Sequence, residues 1–415
     1  MSEHGDERYA MSVVVDADSH LQHPLCWLEK HHPELNIFRG ARAFSPLMYY
    51  LPPDRWPSDE SQMYSPVWYQ FLLAQRDAIE HDVDLDDMVD DPTVDLGALS
   101  RLFRGRGAWD ADERIAVLDE VGTDFQLVSG VGLGMPGADA DETRRFIETA
   151  NTISCEQLSP HTDRLIPIVT VDFTSVDWTI AELARTRALG SRVFHVPATP
   201  IDGKAISHPD FDAVWAAASD LAMVGYLHQF GEPFDLAWAN NGGNYLMLSM
   251  LASVRYHHSA ELLATALIGG GVFARFPKFG MVMAEIGGLA WIPNMLQWID
   301  AIAFDPTMHA MEGIQDWEHE LKPSEYAQRQ LRVAPLPNEA QKASPWVEAL
   351  GDIPVFSSDY PHPEGTPDPA IPGPEAGPDF FHHDLAAFDP AVQARFFGDS
   401  LADLFARTGD PLTRT

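Results

Sequence analysis

Ile353-Pro-Val-Phe-Ser-Ser-Asp-Tyr-Pro-His-Pro-Glu-Gly365 decides how the chain is read. It opens with the apolar run of a buried parallel strand, then places Asp359, His362 and Glu364 at its end before Pro and Gly halt regular structure. Carboxylate and imidazole groups are thus delivered at the carboxyl end of a strand, where α/β folds bind their ligands. Taken alone, the stretch is also compatible with a strand closed by an Asp-capped turn.

Other strands in the chain end in the same way. Val13-Val-Val-Asp-Ala-Asp-Ser-His20 begins with three β-branched residues, and a strict alternation along it puts Asp16, Asp18 and His20 on one side. After Asp110 a regular strand and helix alternation sets in. Asp110 with Glu113 predicts a helix start, with Ile115 and Leu118 on its apolar face. Strands are expected at Phe125-Gln-Leu-Val, Leu165-Ile-Pro-Ile-Val-Thr-Val, Val193-Phe-His-Val-Pro, Val224-Gly-Tyr-Leu-His-Gln, Met281-Val-Met-Ala-Glu, Gln330-Leu-Arg-Val-Ala-Pro and 353–357. Helical periodicity lies between them, as in Phe211, Val214, Trp215 and Ala218, and in the Gly-punctuated span 244–276. Eight such units predict an α/β fold of the (β/α)₈ TIM-barrel type rather than an open sheet.

A barrel of this kind takes more than 250 residues as one unit, so residues 1–415 are expected to form a single domain. Between 36 and 110 periodicity is lost and Pro, Trp and Tyr are frequent. That composition is too aromatic for a disordered linker, so an ordered cap or lid inserted after the first strand is expected. A Pro-rich bend at 366–374 precedes a C-terminal helical extension around Phe396–Phe405.

With 62 Asp and Glu against 27 Lys and Arg, the net charge of −35 repels phosphate backbones and anionic membranes. Nucleic acid and membrane partners are therefore not expected, which leaves a small-molecule substrate. Two cysteines, Cys26 and Cys155, give neither a disulfide framework nor a CxxC pair. The polar start and the lack of an apolar run of about 20 residues lead to the expectation of a cytoplasmic protein.

If the barrel closes, Asp18 and His20 from the first strand, His195 from the fourth, His228 from the fifth, Glu285 from the sixth and Asp359 from the last converge on one rim. Imidazoles with carboxylates suit one divalent metal ion, Zn²⁺ first and Mn²⁺ or Fe²⁺ next. Each residue has a plainer alternative: a strand histidine such as His228 is often a satisfied core residue, and Glu285 before Ile-Gly-Gly could cap a helix.

Asp16-Ala-Asp-Ser-His20, Leu227-His-Gln, Phe273-Ala-Arg-Phe-Pro-Lys-Phe leading to Glu285-Ile-Gly-Gly-Leu-Ala-Trp-Ile-Pro293, and Ser358-Asp-Tyr-Pro-His-Pro-Glu-Gly365 occur in that order across nearly the whole chain. In these pieces the sequence resembles the amidohydrolase-related family that includes aminocarboxymuconate-semialdehyde decarboxylase and the resorcylate decarboxylases. The resemblance implies a metal held by Asp18, His20, His228 and Asp359, and a homodimer. Similar decarboxylases commonly have a histidine on the sixth strand where this chain has Glu285, and many relatives have His or Glu at the place of Asp18.

The expected chemistry follows from the metal, which would lower the pKa of bound water toward about 7. Glu285 is the expected proton shuttle, with His228 and Asp359 at the same centre and His195 and His362 as substrate contacts. Hydrolysis of an amide, ester or activated C–C bond of a small carbonyl substrate, aromatic ones included, is placed first, because an acid replaces that histidine. Non-oxidative decarboxylation or hydration of an aromatic or unsaturated acid is the alternative.

Overall fold

The computed structural model describes residues 13–23, 31, 105–130, 140–228, 245–313, 316–335, 345–362 and 388–413, with 245–256 and 312 by backbone alone. Of the expected insertion at 36–110 only the last six residues fall among these, and the Pro-rich bend at 366–374 lies outside them, as does Glu364.

Strands β1 (Val15–Asp16), β2 (Phe125–Ser129), β3 (Leu165–Val169), β4 (Val193–His195), β5 (Val224–His228), β6 (Met281–Ala284) and β7 (Leu331–Ala334) pair in parallel in sequence order. The eighth segment then closes the ring without becoming a regular strand. On one side Val333 N–H donates to Ile353 O at 2.7 Å and Val355 N–H to Val333 O at 3.0 Å. On the other, Ala17 N–H donates to Phe356 O at 2.9 Å and Asp359 N–H to Asp18 O at 2.9 Å. The strands are therefore covered inside and out at nearly every described position, His195 being half-buried, which is why they read as continuous apolar runs.

Helices fill the crossovers. α1 (Ala111–Val121) starts where the Asp110 carboxylate accepts from Glu113 N–H at 2.8 Å, and it ends at Gly122, whose φ of 77° lies in the left-handed region. α2 (Ala140–Leu158), α3 (Val176–Ala188), α4 (Asp212–Asp220) and α5 (Tyr245–Gly269) follow, and the expected face Phe211, Val214, Trp215 and Ala218 is buried. After a short helix α6 (Val272–Arg275), α7 (Trp291–Phe304), α8 (Pro306–Glu312) and α9 (Pro323–Gln330) surround β6 and β7. No described helix is long and apolar enough to cross a membrane.

Inside the ring, alternate residues such as Val15, Leu127, Ile166, Val193, Val224 and Val355 make a packed core, not a pore. One end of that core is stoppered by the C-terminal segment, α10 (Pro390–Ala394), a π-helical turn at Arg395–Asp399 and α11 (Ser400–Thr408). Leu401, Leu404 and Phe405 of α11 belong to the interior cluster. The approach is close enough that a Cβ on Gly398 would collide with the carbonyl oxygen of Val13. The strand ends that carry His228 and Glu285 open at the opposite mouth.

One local expectation fails. Asp16 does not join Asp18 and His20; its carboxylate instead accepts from Gln126 Nε2 at 2.8 Å, Ser358 N–H at 2.8 Å and Ser358 Oγ at 2.5 Å. Gln126 is in turn held by Arg114 Nη1 at 3.0 Å, so a buried polar chain ties β1 and the closing segment to α1. Regular strand geometry ends at Asp16, so the two-residue alternation does not extend to Asp18 and His20. Removing this acceptor leaves several buried donors unpaired. Asp16→Ala is therefore expected to destabilise the fold by about 2–4 kcal/mol, read as a lowered midpoint in chemical denaturation; an unchanged midpoint would show that the donors find other partners.

Candidate metal centre

The mouth of the barrel is built where β1, β5, β6 and the closing segment end. His228 is the last residue of β5, Glu285 follows the last residue of β6, and Asp359 lies in the closing segment beside Asp18. Two of these carboxylates are held in unusual backbone: Glu285 and Asp359 both have φ of 55°. Left-handed conformations cost a non-glycine residue roughly 1–2 kcal/mol and persist where the surroundings impose them, commonly at functional sites.

Asp18, His20, His228 and Asp359 each present a ligand atom, and these atoms lie within 4.8 Å of one another. His20 Nε2 is 3.1 Å from Asp359 Oδ1 and 3.8 Å from Asp18 Oδ1, while His228 Nε2 is 3.7 Å from Asp18 Oδ2. The two imidazoles meet edge to face with centroids 4.9 Å apart. All four residues are buried, the two aspartates completely at 0% exposure.

Electrostatics make this grouping costly without a cation. Burial pushes the Asp18 carboxyl well up, with Asp359 and Glu285 adding to it against the pull of His228. Burial also lowers His20 to about 3, helped by His362, so its imidazole stays neutral and able to ligate. For Asp359 burial pushes upward, but His362 and His20 outweigh it and hold the carboxyl below its usual range. Oδ2 of Asp18 and Oδ2 of Asp359 are buried with no hydrogen-bond partner. Two orphaned carboxylate oxygens beside the imidazoles of His20 and His228 fit a divalent ion of mixed N and O preference.

The remaining expected residues fall close by. Glu285 Oε2 lies 2.9 Å from His228 Nε2, and burial pushes its carboxyl up. His362 stacks on His20 with centroids 4.0 Å apart and places Nδ1 3.2 Å from Asp359 Oδ1. His195 is outside the ligand group. It ends β4 with its ring edge-on to Tyr226 at 5.4 Å and a buried Nε2 that has no partner, and burial lowers it to about 3.

Two residues of the mouth escape a reading for charged groups. Tyr226 donates to Asp18 Oδ1 at 2.8 Å, and burial pushes its phenol far up, which keeps it a donor. Ser129, bridged to His20 across the sheet, carries a buried Oγ without a hydrogen-bond partner. Alternation gives only their strand face, which Tyr226 shares with His228 and Ser129 with Phe125 and Leu127.

No protein-family model matches this chain, and no curated protein does. Solved structures do match. A 5-carboxyvanillate decarboxylase from Sphingomonas paucimobilis aligns with a TM-score of 0.60 at 20% identity, over 95% of this chain and 99% of that one. An amidohydrolase from Mycobacterium avium subsp. paratuberculosis gives 0.58 at 18% identity, over 95% and 100%. A dihydroxybenzoic acid decarboxylase from a Polaromonas species, solved with manganese and the inhibitor 2-nitroresorcinol, gives 0.57 at 15% identity, over 95% and 97%. The chain has the fold of these proteins, an α/β barrel.

If the four residues hold one ion, protein loaded with Mn²⁺ and desalted will retain about one equivalent, since one set of ligands makes one site. Asp18→Ala and His228→Ala are each expected to lower retention about tenfold or more, read by elemental analysis. Full retention in either variant would remove that residue from the ligand set.

Proposed function

We propose that this chain belongs to the amidohydrolase-related decarboxylases and is a metal-dependent, non-oxidative decarboxylase of an aromatic carboxylic acid. The observation that carries this reading is the buried group of Asp18, His20, His228 and Asp359 with Glu285 set against it, in the fold of solved aromatic-acid decarboxylases. Burial raises the Glu285 carboxyl, and it lies at hydrogen-bond distance from His228. Replacing a carboxylate on a ring carbon by hydrogen consumes a proton and so calls for an acid, whereas hydrolysis by an activated water calls for a base. Hydrolysis, placed first from sequence because an acid stands at position 285, is therefore the weaker reading. The solved decarboxylases of the same fold, matched over almost the whole chain, support this order.

A divalent ion at the centre would supply positive charge to hold and orient an anionic oxygen of the substrate. Manganese is the ion we assign in place of zinc, supported by the harder donor set that Asp18 and Asp359 create and by the manganese in decarboxylases of this fold. Glu285 gives its proton to the ring carbon that bears the carboxylate. The bond to the carboxylate carbon then breaks, its electron pair returns to the ring, and CO₂ leaves; Glu285 regains a proton from solvent. Ser129 Oγ and His195 Nε2, on the β2 and β4 side of the mouth, are free to meet neutral oxygen substituents such as ring hydroxyl or methoxyl groups. Its stacking on His20 supports His362 as a border of the substrate pocket.

Pairing of two copies belongs to the same reading. It is supported by outward apolar side chains on α7 and α8, where Trp298 is 60% and Met311 77% exposed, a surface of the kind partners cover.

Mn²⁺-loaded protein is expected to release CO₂ from hydroxylated aryl carboxylates, with 5-carboxyvanillate and 2,6-dihydroxybenzoate as first probes. Glu285→Gln should keep its metal and lose about 10²–10⁴-fold in turnover. Hydrolysis of aryl amides or esters without CO₂ release from any acid would overturn the assignment.

A further inference from the structure

Beneath the ligand group the described barrel core holds the phenol of Tyr226. Tyr226 precedes His228 by two positions on β5, so both side chains face inward. Its ring is completely buried, and its hydroxyl lies 2.8 Å from Asp18 Oδ1 and 3.0 Å from the carbonyl oxygen of Ala17. A phenol has one proton to give. The shorter contact directs it to Asp18, and a carboxylate charged as a metal ligand would strengthen that bond, since a charge-assisted bond is roughly twice as strong as a neutral one. The two oxygens of Asp18 are thereby made unequal: Oδ1 accepts from Tyr226, while Oδ2 has no partner and lies 3.7 Å from His228 Nε2.

We propose that Tyr226 is a positioning residue that makes Asp18 a one-oxygen metal ligand, holding Oδ1 back and turning Oδ2 toward the ion. This rests on the metal reading above and adds to it the number of positions that Asp18 occupies. A carboxylate free to pivot can bind through both oxygens, and one held by a donor binds through one. The position left over is then available to the substrate. The bond also spans the barrel: Tyr226 comes from β5 and Asp18 from the turn after β1, so the distance between the ligands Asp18 and His228 is set by a strand that carries one of them. Packing of the ring, including its edge contact with His195 at 5.4 Å, keeps the phenol from following Asp18 if that turn moves.

Metal-stripped wild type and Tyr226→Phe are titrated with Mn²⁺ while free ion is followed by electron paramagnetic resonance, and the metal-free melting temperatures are measured alongside. The expected result is an affinity weakened by about 10–100-fold in the Phe variant, the usual effect of removing a partner of a ligand. An unchanged affinity in a folded Phe variant overturns the proposal, as does a lowered melting temperature with no change in affinity, which assigns the phenol to packing alone. Independently of any variant, the Mn²⁺-loaded wild type is expected to coordinate through a single Asp18 oxygen; coordination through both overturns the proposal. A wild type that binds no divalent ion overturns the metal reading and this inference together.

Discussion

The backbone hydrogen bonds made by 353–360 hold the account together. Val333 and Val355 join this segment to the last strand of the sheet, while Ala17, Asp18, Phe356 and Asp359 join it to the first. In an open sheet with the order β1 to β7, the two ends would be the most distant parts of the layer. Closure makes them neighbours, and with them Asp18 and Asp359. A parallel ring also sends every strand's carboxyl end to one mouth, which is why residues from the first, fifth and last units can share a point.

What converges there is unfavourable taken alone. Two fully buried aspartates with a third buried carboxyl beside them face His20, an imidazole that burial keeps from carrying compensating charge. Desolvating charges costs several kcal/mol each even after relaxation, and two of these carboxylates also sit in left-handed backbone. A divalent ion would relieve the arrangement, because the oxygens of Asp18 and Asp359 that lack partners could then serve as its ligands. Asp16 shows the contrast: equally buried, it has four hydrogen-bond donors around it and no oxygen to spare.

Much of this was legible in the chain. The apolar runs that became β2 to β7, the Asp110 cap and the buried face of α4 follow from local periodicity and capping chemistry, which act over a few residues. Asp18, His20, His228 and Asp359 could be named because charged groups at strand ends stand out against apolar neighbours. Asp16 was misplaced because pleated alternation lasts only as long as regular pairing, here two residues. Tyr226 and Ser129 were passed over because a tyrosine in an apolar run and a serine before a glycine look like core and turn, and only the partners across the barrel reveal their role. Decarboxylation stands ahead of hydrolysis in the proposed function because solved aromatic-acid decarboxylases share the fold, a likeness that residue patterns in one sequence do not rank.

The most direct test is anomalous diffraction from crystals grown with Mn²⁺, measured on both sides of the manganese absorption edge. The account predicts a single strong peak bounded by Asp18, His20, His228 and Asp359. No peak at that position, or one that leaves two of these four residues outside bonding distance, would contradict it.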